Sequence, residues 1–156
     1  MKINKKKSNK SKCNKPIIVY VYVCGDIIHE GHLLQLENGK ALGDKLIVGV
    51  LTDEAVMEKK SRPILPFRER LRLIQSIKCV DCAVPQHEYS PMNNLIAIQP
   101  DIHMESASHL GNKYLRDLKK VFKGRIVMTP YYPEQSSTDI KNRIKQKHKI
   151  KINRGC

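Results

Sequence analysis

The chain alternates short β-branched runs with segments of helical periodicity, and that alternation is what most limits the folds open to it. Ile17 to Val23 reads as a buried strand, and Leu33, Leu34 and Leu36 with Ala41 and Leu42 recur at helical spacing. Gly43 then fits a helix C-cap, and Lys45 to Leu51 is a second buried run. Thr52-Asp53-Glu54 starts a short helix carrying Met57, Lys59 and Lys60, which Ser61-Arg62-Pro63 and Pro66 break into a mobile basic loop. From Phe67, Leu71, Leu73, Ile74 and Ile77 mark an amphipathic helix, and Val80 to Val84 reads as a third strand closed by Pro85. Met92 to Ile98 fits a helix, Asp101 to Glu105 a fourth strand, Tyr114, Leu115, Leu118, Val121 and Phe122 a helix face, and Arg125 to Thr129 a fifth strand. Such alternation implies right-handed crossovers, hence a single α/β domain with a five-stranded parallel sheet and helices on both faces. Ligands of such sheets dock at the strands' C-terminal ends, so the first strand-to-helix corner and the last helix start, Ser136-Ser137-Thr138, should share one edge.

The first corner is Cys24-Gly25-Asp26-Ile27-Ile28-His29-Glu30-Gly31-His32. Backbone N–H groups at a helix start are unpaired and sit at the positive end of the helix dipole, so a corner like this suits a phosphate. Gly31 allows close approach, and His29 and His32 add donors. A metal pair is the competing reading, but two histidines three apart lack the i, i+4 spacing of a zinc-binding helix and no third ligand is evident, so no metal is expected there.

Composition matters chiefly through where the charge lies. The formal net charge is +14, yet residues 1 to 15 hold seven lysines and no acid, and residues 141 to 156 hold seven Lys or Arg and no acid. The middle keeps 15 basic residues against all 15 acids and is neutral. Two basic ends fit a disordered leader (1–15), a solvated last helix and a basic tail (149–156) around a domain over 16–148, rather than a nucleic-acid-binding face. Aromatic residues for base stacking are scarce. The five cysteines are odd in number and widely spread, so core thiols are expected rather than a disulfide framework, Cys79-Val80-Asp81-Cys82 included. No apolar run approaches membrane-spanning length and the N-terminus lacks a signal peptide's apolar core, which favours a cytoplasmic chain.

GDIIHEGH resembles the HxGH signature of the nucleotidylyltransferase superfamily, in particular its cytidylyltransferase branch. KALGDKLIVGVLTDE is similar to that family's second-strand segment, KSRPILPFRERLRLIQSIKCVD to its lysine loop and following helix, and QSSTDIKNRI to its ISSTxI signature. The resemblance runs over residues 17 to 144 and implies a Rossmann-like domain. It also implies roles for matching residues. His29 and His32 would hold the nucleotide's phosphates and stabilise charge as the α-phosphorus is attacked. Lys60, with Lys59 as its rival, would neutralise the reacting phosphates, and Ser136, Ser137 and Thr138 would grip the β- and γ-phosphates. Cys24, Gly25, Asp26 and Gly31 belong to the first motif, and Arg70 and Lys78 match basic positions after the loop. The resemblance further implies Mg²⁺ arriving with the triphosphate, held mainly by its oxygens, and a homodimer.

Two departures bear on the substrate. Tyr131 stands where glycerol-3-phosphate and phosphoethanolamine cytidylyltransferases carry an arginine, and His103-Met104-Glu105-Ser106-Ala107-Ser108-His109 replaces a Gly-Asp-Asp-Trp-like segment. Glu105 and Lys59 become candidate acceptor contacts and Tyr131 a nucleotide contact. The expectation is CMP transfer from CTP to a small phosphate or phosphonate with release of pyrophosphate. An adenylyltransferase using ATP is the rival enzyme, and an inert nucleic-acid-binding protein with basic tails the rival from another class.

Overall fold

The structure is a computed structural model that describes residues 15–109, 111, 113–130, 132 and 136–153. The expected leader, apart from Lys15, the last three residues of the basic tail, Tyr131, Cys13 and Cys156 lie outside the described residues.

Five strands form one all-parallel sheet in the order β3-β2-β1-β4-β5: β1 (Ile18–Val23), β2 (Lys45–Leu51), β3 (Cys82–Gln86), β4 (Ile102–Ser106) and β5 (Arg125–Thr129). The helices are α1 (Glu30–Ala41), α2 (Asp53–Met57), α3 (Phe67–Gln75), α4 (Met92–Ile98), α5 (Lys113–Val121) and α6 (Ser137–Asn153), with a 3₁₀ turn at Ala107–His109. α6 therefore runs through position 149, where the tail was expected to begin.

β1 is central because both its faces are apolar. Val19, Val21 and Val23 pack with Leu36 of α1 and Ile74 of α3, while Tyr20 and Tyr22 point the other way, among Leu95 of α4 and Leu115 and Leu118 of α5. Gly49 of β2 is needed beside Tyr20, since a Cβ there would stand 1.9 Å from the tyrosine hydroxyl, which donates to Gln86 Oε1 at 2.6 Å. The strand order reverses between β1 and β4, so the crevice at their C-terminal ends is the fold's natural ligand site.

Some expectations shift. The third strand begins two residues late, at Cys82, and contains Pro85 rather than ending at it. β3 is an edge strand, where a residue with no N–H to donate is tolerated. Val80 is buried, as a strand residue would be, but it precedes the strand. Cys82 is exposed and Cys79 only partly buried, so the CxxC thiols are not core thiols as a pair. Val121 and Leu73 are exposed, and Gly43 follows the C-cap, Leu42; its lack of a Cβ lets the chain pass Ile17 O, which a Cβ would meet at 2.8 Å.

Arg70 joins the ends of the central strands. Its side chain is fully buried and donates to Cys24 O just past β1 (2.5 Å), to Leu51 O at the end of β2 (2.7 Å), to Leu65 O (3.0 Å) and to Asp53 Oδ1 (2.6 Å). This corrects the expectation that Arg70 binds nucleotide: its donors are spent under the site. Lys78 is corrected too, since it is exposed in the turn before β3, at the strands' N-terminal edge and away from the crevice.

Arg70→Met leaves three carbonyls and a carboxylate without a partner, and loss of about 3 to 5 kcal/mol is expected in urea unfolding. Arg70→Lys should recover little, because one ammonium cannot span four acceptors. A loss under about 1 kcal/mol for Arg70→Met would refute the clamp.

Candidate active site

The crevice is a cavity of about 1300 Å³ bounded by the first corner, the loop after α2, the ends of β4 and β5, and the first turns of α6. At the corner, Gly25 takes φ +69°, a left-handed conformation that a side chain would strain, and it turns the chain without itself facing the cavity. His29 is the N-cap of α1 and its side chain caps no amide, while the His32 N–H turns back to donate to His29 O at 2.9 Å. The His29 and His32 rings lie 4.1 Å apart, and the Nδ1 atom of each is buried without a hydrogen-bond partner. Both residues border the cavity. Gly31 is needed for side-chain packing here: a Cβ would stand 2.9 Å from the Tyr132 ring and 3.1 Å from that of His29.

Burial, with the neighbouring His29 and Lys60, pushes the His32 imidazole down to about 4, and burial lowers His29 as well. Both rings are therefore neutral at pH 7 in the free protein.

Two carboxylates belong to the cavity wall, and both are committed. Asp26, 3% exposed, accepts from Ile64 N (2.7 Å) and Leu65 N (2.9 Å) through Oδ1 and from Lys141 Nζ (2.5 Å) through Oδ2. Burial alone would raise its carboxyl, but these hydrogen bonds and the lysine's charge hold it below the ordinary value. Glu105, 1% exposed, accepts through Oε1 from Ser106 N (2.9 Å) and contacts His109 Nδ1 (2.7 Å), and through Oε2 meets the Tyr114 hydroxyl and His103 Nε2 (3.3 Å). Burial would raise it, yet hydrogen bonds to His103, His109 and Tyr114 hold it down to about 2. With some four acceptor positions on a carboxylate, little is left for a ligand. Glu105 is thus the anchor of a buried network rather than the acceptor contact expected of it.

Lys60 borders the cavity, and Lys59 is exposed outside its lining. Ser136 is the N-cap of α6 and shares a reciprocal cap with Asp139, whose N–H donates to Ser136 Oγ at 3.2 Å while Ser136 Oγ donates to Asp139 Oδ2 at 2.6 Å. Ser137 Oγ donates to Ile27 O at 3.1 Å, tying α6 to the first corner. Of the three hydroxyls expected to grip phosphate, two are spent internally, and Thr138 remains, exposed on the cavity. Cys24 also borders the cavity, with its thiol raised by burial. Arg62, His109, Tyr132, Lys141 and Lys145 line it as well, and none was expected. For Lys141 a signal existed: it lies three residues after Thr138, on the same helix face.

Comparison with known proteins agrees with this geometry. The family model described as cytidylyltransferase-like matches residues 23–143. The bifunctional protein HldE of Helicobacter acinonychis is 38% identical over 104 residues, covering 65% of this chain and 22% of that protein. An ethanolamine-phosphate cytidylyltransferase of Arabidopsis thaliana is 38% identical over 76 residues, 49% of this chain and 18% of that protein. The chain thus spans about a fifth of the length of these curated relatives. Among solved structures, the lipopolysaccharide core biosynthesis protein of Thermoplasma volcanium superposes with a TM-score of 0.69 at 30% identity, covering 76% of this chain and 99% of that one. A pantothenate synthetase of Thermus thermophilus, at 17% identity and a TM-score of 0.53, shares the fold.

The lowered His32 value carries a sign. As pH falls through about 6.5 the unfolded chain binds a proton at this histidine, while the folded chain does not until about 4, so stability present above 6.5 is lost between those values. Urea midpoints at pH 7.0, 6.0 and 5.0, above the range of the carboxylates, should fall with acid in the wild type and fall less in His32→Gln. Parallel curves would contradict the buried neutral imidazole.

Proposed function

Because the chain belongs to the cytidylyltransferase-like family, within the HxGH nucleotidyltransferase superfamily, we propose that it transfers CMP from CTP to a small phosphate or phosphonate acceptor, releasing pyrophosphate and giving a CDP-alcohol or a CMP-phosphonate. The observation that carries this reading is the pair of adjacent imidazoles at the start of α1, on a cavity that also receives Lys60 and the start of α6. Those are donors and cations around a space for a polyphosphate, and the carboxylates of the described residues that line it, Asp26 and Glu105, are both engaged by the protein.

In this reading an acceptor oxygen attacks the α-phosphorus, a P–O bond forms, and the bond to the β-phosphate breaks as pyrophosphate leaves. The attacking oxygen is already anionic, so no general base is needed, and the protein contributes alignment and charge stabilisation. His29 and His32 donate to phosphate oxygens as charge builds, Lys60 adds its positive charge from the loop after α2, and the Ser137 and Thr138 amides with the Thr138 hydroxyl hold the terminal phosphates. Among the described residues no three of His, Cys, Asp and Glu cluster to hold a metal, and the oxygens of Asp26 and Glu105 are taken. Mg²⁺ fits as part of the substrate, bound by the triphosphate's own oxygens.

A second reading, adenylyl transfer from ATP to a sugar phosphate, draws support from the likeness to the Thermoplasma protein named for lipopolysaccharide core biosynthesis. Pyrophosphate release with Mg²⁺ and CTP or ATP, beside glycerol 3-phosphate, phosphoethanolamine, phosphocholine, hydroxyethylphosphonate and a heptose phosphate, separates the two. Product from CTP with a small acceptor is expected; product only from ATP, or only with the heptose phosphate, moves the assignment to the second reading. In whichever reaction proceeds, His29→Ala and His32→Ala should each lower the rate on the order of 10²- to 10³-fold. Lys60→Ala should cost more than Lys59→Ala. Near-normal turnover of either histidine variant would remove the phosphate-contact role.

A further inference from the structure

We propose that His109, with its ring tautomer set by Glu105, selects the acceptor of this same reaction, and that the acceptor it selects carries a primary ammonium at the end away from its phosphate or phosphonate. The inference rests on the nucleotidyl-transfer reading above. It starts from the segment 103–109, where the chain departs from a Gly-Asp-Asp-Trp-like pattern. Glu105 at the end of β4 and His109 in the 3₁₀ turn that follows are four residues apart, with His109 Nδ1 2.7 Å from Glu105 Oε1. The carboxylate is ionised and can only accept, so in the neutral imidazole Nδ1 carries the proton and Nε2 is left with the lone pair. All hydrogen-bond contacts of this ring among the described residues are made by Nδ1, to Glu105, Tyr22 and Tyr114, which leaves Nε2 for a ligand. The His109 side chain is 21% exposed and borders the cavity.

Tyrosines flank that ring. Tyr22 stacks with it at 6.4 Å between centroids and 17° between planes, and Tyr89 meets it edge-on at 6.4 Å and 64°. Both also border the cavity. Aromatic rings beside a lone pair suit a cation that can donate a hydrogen bond. The charges of the wall agree with this. Lining residues supplied by β1, the loop after β3, β4 and the turn after it include no lysine or arginine, whereas Lys60, Arg62, Lys141 and Lys145 come from the loop after α2 and from α6. Arg70, beneath Cys24, is paired with Asp53. Glu105 pairs with no lysine or arginine among the described residues, and its negative charge, after burial, raises the Tyr89 hydroxyl. The cavity is thus cationic on one side and, on the other, aromatic with a buried anion behind it, a polarity that matches an acceptor with an anion at one end and an ammonium at the other. A primary ammonium can face the rings and donate to Nε2 together. A hydroxyl brings the donor without the charge, and a trimethylammonium the charge without the donor. Glu105, which acts through His109, is a positioning residue.

Pyrophosphate release by the full chain with Mg²⁺ and CTP, read as kcat/KM for acceptors of matched size, tests this. 2-Aminoethylphosphonate should exceed 2-hydroxyethylphosphonate on the order of tenfold, and phosphoethanolamine should exceed phosphocholine. His109→Phe keeps a ring without a lone pair; it should raise KM for the aminoethyl acceptor, leave KM for CTP where it was, and abolish the preference for ammonium over hydroxyl. His109→Gln, which offers an amide oxygen in place of the lone pair, should keep part of that preference. Glu105→Gln can donate to Nδ1 and so release the tautomer, and the preference should fall with it. The melting temperature of each variant is recorded alongside, and should Glu105→Gln not fold, the two His109 variants carry the comparison. Equal use of the two phosphonates by the wild type, or an unchanged preference in folded His109→Phe, overturns the proposal while the function stands. A rise in KM for CTP alone overturns it too, because the pocket then holds the base. No pyrophosphate release with any of these acceptors removes the reading beneath it as well.

Discussion

The site depends on a positive charge that never reaches it. Where parallel strands run out at their C-terminal ends the last carbonyls lose their ladder partners, and once buried they must be satisfied in another way. Arg70 does this from below, donating to Cys24 O, Leu51 O and Leu65 O while pairing with Asp53. One planar guanidinium with five donors matches four acceptors that converge from β1, β2, α2 and the loop before α3. Phe67, on the preceding turn of α3, stacks 5.8 Å from it. The corner and the far end of the lysine loop are thereby tied to one buried point.

Asp26 makes a second tie one layer nearer the cavity, linking the corner, the loop amides of Ile64 and Leu65, and α6. Glu105 makes a third at the end of β4, gathering His103, His109 and Tyr114. All three are nearly inaccessible charged groups whose hydrogen-bonding capacity is largely consumed by the protein, as charges this deep must be. The groups left with capacity toward the cavity are of another kind: two neutral imidazoles, the Thr138 hydroxyl, and cations on its rim. Construction and ligand binding are thus divided between different side chains, although the sequence sets them next to one another.

That division explains what could be read from the chain alone. β2 and β5 fall where their apolar runs end, and the first corner and the last helix start share one edge because alternation of strand and helix requires it. Arg70 was given a nucleotide role by resemblance, although it lies four residues before Ile74 and so on the buried face of its helix. The hydroxyls of Ser136 and Ser137 bond within the protein, and a serine that caps a helix occupies the same position in a motif as one that grips phosphate; the acid at Asp139 was the sign of the cap. Glu105 has no local signature at all, since its partners arrive from β4 itself, the following turn and α5. Burial and pairing over such separations are decided by packing, which periodicity does not encode.

Charge follows the same logic. The folded middle carries as many acids as bases, yet its distribution is uneven at the cavity, where Lys60, Arg62, Lys141 and Lys145 stand on the rim while Asp26 and Glu105 are turned inward and compensated. A crevice with low-dielectric walls and one sign of accessible charge focuses its field on an incoming anion. The imidazoles are neutral in this field because burial and the neighbouring lysine both disfavour a proton on His32. A polyphosphate bound beside them, as proposed, would reverse the second influence, since negative charge beside an imidazole favours its protonated form. In the proposed reaction the histidines would need no charge of their own to admit the anion, and they would gain proton affinity only once it had arrived.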